Sequence, residues 1–211
     1  RGLAEQGIAV LRFDFTGLGN SEGDFANSDF SSNVNDLFDA AAALEEQYLA
    51  PSLLIGHSLG GAAALMAAAE IDSVRAVATI GAPSEPAHVE RLINNTTTTT
   101  HEDGSATILL GGRELTIGSE FIDDLKKNRI ANSLPTLKKP LMIFHSPVDE
   151  VVSIDNARQL YQAAKHPKSF ISIDGADHML SNPEDSRFVA ATLAAWASRY
   201  LLTKPSIKTA R

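Results

Sequence analysis

Leu53-Leu54-Ile55-Gly56-His57-Ser58-Leu59-Gly60-Gly61 is a short apolar run that breaks into a glycine-flanked serine and continues into the alanine-rich stretch Ala62-Ala63-Ala64. The pattern predicts a strand turning sharply into a helix, with the serine at the corner as a nucleophile elbow. A corner residue of that kind sits in strained backbone, and its neighbours two positions away must be small. Gly56 and Gly60 meet that need. The helix that starts near Leu59 aims free N–H groups and the positive end of its dipole at the serine hydroxyl. The backbone N–H of Leu59 is therefore an expected oxyanion donor. A glycine-rich turn around an ordinary serine is the plainer alternative, and the strand signal before it and the helix signal after it weigh against that.

The chain around this corner has 211 residues, 44% hydrophobic and 21% charged, which suits one domain with a substantial core and argues against wholesale disorder. A net charge of −8 repels nucleic acid and anionic membrane surfaces, so neither is an expected partner. With no cysteine, a disulfide, a thiol nucleophile and a Cys-ligated metal are all excluded. Together with the lack of a signal peptide or long apolar span, this fits a cytoplasmic protein. Residues 1–7 read as the end of an amphipathic helix.

Residues 8–15 (Ile-Ala-Val-Leu-Arg-Phe-Asp-Phe) read as a buried strand entered from Gly7. The glycine-rich stretch after them, Thr16 to Gly23, is a poor dinucleotide fingerprint because its third glycine is one position late and no helix follows at once. It reads as a loop flooring a site. No cofactor is expected. A helix from about Ser32 presents Val34, Leu37, Phe38, Ala41, Leu44 and Tyr48 on one face, and Pro51 stops it. The elbow strand and helix come next, then a strand over residues 74–80. Alternating strands and helices with near-continuous apolar strands predict an α/β fold, a mostly parallel sheet flanked by helices.

The alternation breaks over residues 84–137, an expected lid insertion after the strand that follows the nucleophile helix. It holds a short helix over residues 87–93, a threonine-rich tract over residues 94–100 with no packing face, a hairpin about Gly111-Gly112 and a helix over residues 119–128. The tract is expected to be mobile, and its two Asn-x-Thr sequons carry no weight without a secretory signal. The main pattern resumes with a strand over residues 140–145, a helix over 154–165, a strand over 169–173 and a last helix over 183–202. Phe188, Val189, Leu193, Trp196 and Tyr200 form its expected buried stripe, and residues 203–211 are an expected loose tail.

A serine needs a base to take its proton and an acid to orient that base. Ser58, Asp149 and His178 occur in the order serine, acid, histidine, each just after an expected strand. Asp149 has a turn-aspartate alternative, and Glu150 is its nearest rival, one residue further from the strand. Asp174 and Asp177 share a short segment with the histidine they would have to face. His145 precedes the acid, and His57 reads as packing around the elbow. His88, His101 and His166 fall in the insertion or at helix ends, and no metal spacing links the six histidines.

With these residues in hand, the sequence resembles serine hydrolases of the α/β-hydrolase superfamily over nearly its whole length. Arg12 to Gly23, Gly56-His57-Ser58-Leu59-Gly60-Gly61, His145-Ser146-Pro147-Val148-Asp149 and Gly175-Ala176-Asp177-His178 carry the resemblance. It is most similar to the hydrolase domain of bacterial proteins that also carry a C-terminal OsmC-like domain. The resemblance implies an α/β-hydrolase fold, with Ser58 as nucleophile, Asp149 as acid and His178 as base. It also implies early strands and a second oxyanion donor upstream of Arg1, absent from this chain, and no cysteine is present for OsmC-type chemistry. The sheet edge left open favours association, including into a homo-oligomer, or an omitted segment. The activity implied is hydrolysis of a small carboxylic ester or amide through an acyl-enzyme. A vestigial binding or docking domain, or acyl transfer or perhydrolysis with the same triad, are the other readings.

Overall fold

Near-continuous apolar runs can bury both faces only inside a covered parallel sheet. In the computed structural model, which describes residues 1–85, 90, 93, 96–110, 113–128 and 130–201, that is where they lie. Strands β1 (Leu53–His57), β2 (Ala76–Ile80), β6 (Leu141–His145) and β7 (Lys168–Ser172) form one sheet in the order β1-β2-β6-β7, every neighbouring pair parallel. All five residues of β6 are buried, whereas β1 and β7 at the edges are only partly so. Between β2 and β6 come β3 (Thr97–Thr100), β4 (Ala106–Leu110) and β5 (Arg113–Ile117), a separate antiparallel sheet in the order β3-β4-β5.

The helices are α1 (Gly2–Glu5), α2 (Phe30–Gln47), α3 (Leu59–Glu70), α4 (Ser119–Lys127), α5 (Ile130–Ser133), α6 (Asp155–Ala163) and α7 (Pro183–Leu201). The sheet's alternation assigns them to two cores. Val77, Leu141 and Ile143 pack with α3 and with Ala157 and Leu160 of α6, while Ala78, Met142 and Phe144 pack with Val189 and Leu193 of α7. α3 comes close to the sheet because Gly61 and Ala62, Ala63 and Ala64 are small and fully covered. Helix α2 starts on a capping box in which the Asp29 carboxylate accepts from the Ser32 amide and the Ser32 hydroxyl lies at the N-cap backbone.

The insertion docks by specific contacts. The Ser31 amide and hydroxyl donate to the Asp124 carboxylate at 2.7 and 3.0 Å, and Phe121 meets Phe25 at 5.6 Å between ring centroids. A side chain at Gly118 would strike the Ala26 carbonyl, so β5 and the short 3₁₀ turn at Phe25–Asn27 touch backbone to backbone.

Several expectations are corrected. Residues 8–15 form no strand, because a strand needs a partner ladder and no described residue pairs with them. Val10 and Leu11 are half exposed there. The threonine tract, expected to be mobile and without a packing face, does contain a strand with mostly exposed side chains. Thr97–Thr100 pairs with β4, since β-branched threonine suits an edge strand even where its side chains face solvent. Tyr48 (76% exposed) and Phe188 (48% exposed) lie outside the buried stripes assigned to them, because the α7 stripe runs Val189, Leu193, Ala197 and α2 buries Phe30 and Asn33 instead. Most of the helix expected over residues 87–93, with His88, falls outside the described residues, as do Asn94, Asn95, Gly111, Gly112 and the tail 203–211.

Candidate active site

Ser58 sits at φ 53° and ψ −127°, between the last residue of β1 and the first of α3. Such backbone costs about 1–3 kcal/mol and persists only where its surroundings hold it. Here the Ser58 amide donates to the Ile80 carbonyl at 2.9 Å, and the Ser58 carbonyl accepts from the Gly61 amide at 2.9 Å. Gly56 is required, because a side chain there would run into the Gly60 carbonyl. The second tight position is Gly61, whose added Cβ would lie 2.6 Å from that of Ala82, whereas one on Gly60 would meet only the Phe15 ring at an ordinary 3.7 Å. The smallness expected of Gly60 thus belongs to Gly61. Leu59 is the first helical residue, and its N–H is among the helix amides without an intrahelical partner.

The three residues singled out by chain order meet. His178 Nδ1 lies 2.8 Å from Asp149 Oδ2, and Nε2 lies 3.0 Å from Ser58 Oγ. An ionised carboxylate can only accept, so Nδ1 carries the proton and Nε2 is left to accept from the serine hydroxyl. The Asp149 side chain is 2% exposed. Burial alone would raise its pKa, but hydrogen bonds from His178 and from the Val152 and Val151 amides outweigh that and hold the carboxyl below the usual range. Those amides donate to Oδ1 at 2.8 and 2.9 Å, which leaves Oδ2 for the imidazole.

Three neighbours were not given these roles by sequence. Gly81, at φ +56°, ends the strand beside the elbow, and a Cβ there would lie 3.2 Å from both Asp149 Oδ2 and His178 Nδ1. A glycine straight after an apolar strand buried at four of its five positions was the available signal. His57, read as packing, has its ring 4.8 Å from that of His178 and donates from Nε2 to the His178 carbonyl at 2.7 Å. His145, set aside because it precedes the acid, is fully buried and donates from Nε2 to the Val152 carbonyl at 2.7 Å. Burial lowers the pKa of both. Among the rivals, Asp174 accepts from Ser172, Asp177 from the Ser181 amide and His101 contacts Thr107, while Glu150 lines the same cavity as Asp149. No described group of three or more His, Asp or Glu residues could hold a metal ion.

Ser58 opens on a cavity of about 1070 Å³. Leu18, Phe25 and Leu37 line one side, and Ile108, Ile117 and Phe121 of the insertion line the other. The glycine-rich loop supplies Leu18; it closes on itself through the Gly17 amide donating to the Glu22 carbonyl at 2.9 Å, and Thr16 ties it to α2 by donating from its amide and hydroxyl to the Asp36 carboxylate.

The family described as serine aminopeptidase, S33 matches residues 1–101. The crystal structure of the esterase domain from a Rhodothermus marinus protein is 49% identical, with a TM-score of 0.80, over 94% of this chain and 78% of that one. Human monoglyceride lipase is 24% identical over 229 residues, which span 93% of this chain and 75% of the lipase. The crystal structure of Paleococcus ferrophilus monoacylglycerol lipase shares the fold at 19% identity, with a TM-score of 0.70, over 94% of this chain and 86% of its own. The chain belongs to the α/β-hydrolases. Within them it is a hydrolase of the esterase-like kind. No described helix is long and apolar enough to cross a membrane.

Proposed function

We propose that this chain cleaves carboxylic esters through an acyl-enzyme on Ser58. The observation that carries the reading is the unbroken relay from Ser58 Oγ through the His178 ring to Asp149, on the wall of a mainly apolar cavity. As Ser58 Oγ attacks the ester carbonyl, His178 Nε2 takes its proton, and the imidazolium is stabilised by the buried Asp149 carboxylate. The oxyanion faces the N–H of Leu59 at the start of α3. Collapse expels the alcohol, which receives the proton from His178, and a water activated by the same nitrogen then releases the acid and frees Ser58.

The lining is mainly apolar, with Arg12, Asp14 and Glu150 also on it, and its larger apolar part suits an uncharged substrate group. Residues 84–137 act as the lid that selects it. The same relay would serve acyl transfer or perhydrolysis, which differ only in the acceptor, and a cytoplasmic setting and a C-terminal OsmC-like neighbour rest on the sequence alone.

The test is turnover of p-nitrophenyl butyrate by the chain and by Ser58→Ala and Asp149→Asn. Ser58→Ala is expected to abolish turnover, and Asp149→Asn to lower kcat by up to about 10⁴-fold through the wrong imidazole tautomer. Equal turnover by the parent and Ser58→Ala would overturn the reading, and stoichiometric binding without turnover would favour the docking role.

A further inference from the structure

We propose that His145 is a positioning residue that holds the acid of the triad in register with its base. The proposal rests on the assignment of Asp149 as that acid. His145 ends β6, four residues before Asp149, and is fully buried. Its Nε2–H donates to the Val152 carbonyl at 2.7 Å, and the Val152 amide donates to Asp149 Oδ1 at 2.8 Å. Residues 149–152 thus form a turn closed at both ends. The carboxylate grips the Val151 and Val152 amides, and the imidazole grips the carbonyl just beyond them. Without the imidazole, the hydrogen bond left to the Val152 backbone among the described residues is the one to the carboxylate it is meant to fix.

The same ring lies against the working oxygen. Nε2 is 3.6 Å from Asp149 Oδ2, close enough to pack but too long to take the lone pair that receives His178 Nδ1–H at 2.8 Å. Its only hydrogen at that nitrogen is already committed to Val152. A neutral ring is needed for this arrangement, since an imidazolium there would compete with His178 for the carboxylate. Burial is the main influence keeping it neutral. The other titratable groups around it are Asp149 on its own loop and His178 from the loop after β7.

Packing does not account for the residue. Among the described residues its Nδ1 is buried with no hydrogen-bond partner, so for packing alone leucine or methionine would fill the space without that unpaired nitrogen. What an apolar side chain cannot supply is the Nε2–H that meets Val152.

The experiment compares the parent with His145→Met, which keeps the bulk and loses the donor, and His145→Gln, which keeps an N–H donor at similar reach. Each is checked for cooperative thermal unfolding, and kcat, KM and the pH profile of kcat/KM are measured on p-nitrophenyl butyrate. His145→Met is expected to lower kcat about tenfold with KM little changed. The acid limb of its profile is expected to move to lower pH, because a displaced carboxylate stabilises the His178 imidazolium less. His145→Gln is expected to recover most of the rate and the parent profile. A purely structural role would lower the active fraction without moving the acid limb. Unchanged kinetics in His145→Met, or equal losses in both variants with the limb unmoved, would overturn the proposal. If His145→Met does not fold, His145→Asn, with its donor too short to reach Val152, takes its place under the same criteria. Labelling of parent Ser58 by a fluorophosphonate is run alongside. An unlabelled parent would overturn the triad assignment itself, whereas a labelled parent with His145→Met kinetics like its own overturns only the role of His145.

Discussion

Gly81→Ala tests how closely Asp149 and His178, the proposed acid and base, are packed. Gly81 adopts φ +56°, a region that costs a residue with a Cβ about 1–2 kcal/mol. In a chain of this size that is a fall in Tm of about 2–8 °C. The catalytic effect has a different origin. The new methyl would lie 3.2 Å from Asp149 Oδ2, 3.2 Å from His178 Nδ1 and 3.3 Å from His178 Cε1, so these atoms must yield by a few tenths of an ångström. They are joined by a 2.8 Å hydrogen bond and cannot both move without lengthening or tilting it. A loss of about tenfold in kcat is expected, on the scale at which small misplacements of reacting groups are felt. Gly7→Ala is the control, because it has φ +78° and nothing within 4 Å of an added Cβ. It carries the same backbone cost with no reason to affect rate. Thermal melts and p-nitrophenyl butyrate kinetics on both variants separate the two effects. Equal falls in Tm with kcat unchanged in Gly81→Ala would refute the claim that this glycine makes room for the pair.

Phe121→Ala removes a fully buried ring that both packs on Phe25 and lines the cavity, and it is expected to cost about 3–5 kcal/mol in chemical denaturation while raising KM for an apolar ester. A loss below about 1 kcal/mol would mean that the insertion is not anchored there. Stability is also expected to fall on acidification. His57 and His145 have folded pKa values depressed below the ordinary 6.5, so the unfolded chain takes up protons first as pH drops through that value, and folding loses ground. Asp149, depressed below 3.8, adds stability above that value that is lost as pH falls through its folded pKa. A lower Tm at pH 5 than at pH 7.5 is the expected result, and an equal or higher one would contradict the burial of neutral imidazoles.

Much of the α/β alternation was legible because it is written in local patterns: apolar runs, an alanine-rich stretch in α3, and a helical period in α2 and α6. The meeting of Ser58, Asp149 and His178 was legible for another reason. Parallel strands place the loops that follow them at one edge of the sheet, so three chemistry-bearing residues after three strands converge whatever lies between them. Long-range geometry was not legible. That residues 8–15 lack a pairing strand depends on which backbones lie beside them, not on their own composition. Gly61 rather than Gly60 is the tight position because Ala82, twenty-one residues away, packs against it. His145 and His57 look idle in sequence, since their partners are backbone carbonyls that carry no residue signature.

Intact mass after incubation with a fluorophosphonate decides whether Ser58 is an activated nucleophile. A single adduct on the parent, slower to form in His178→Ala and missing in Ser58→Ala, is the expected result. A parent that stays unmodified under conditions that label a known serine esterase, or a Ser58→Ala variant that labels equally, would contradict it.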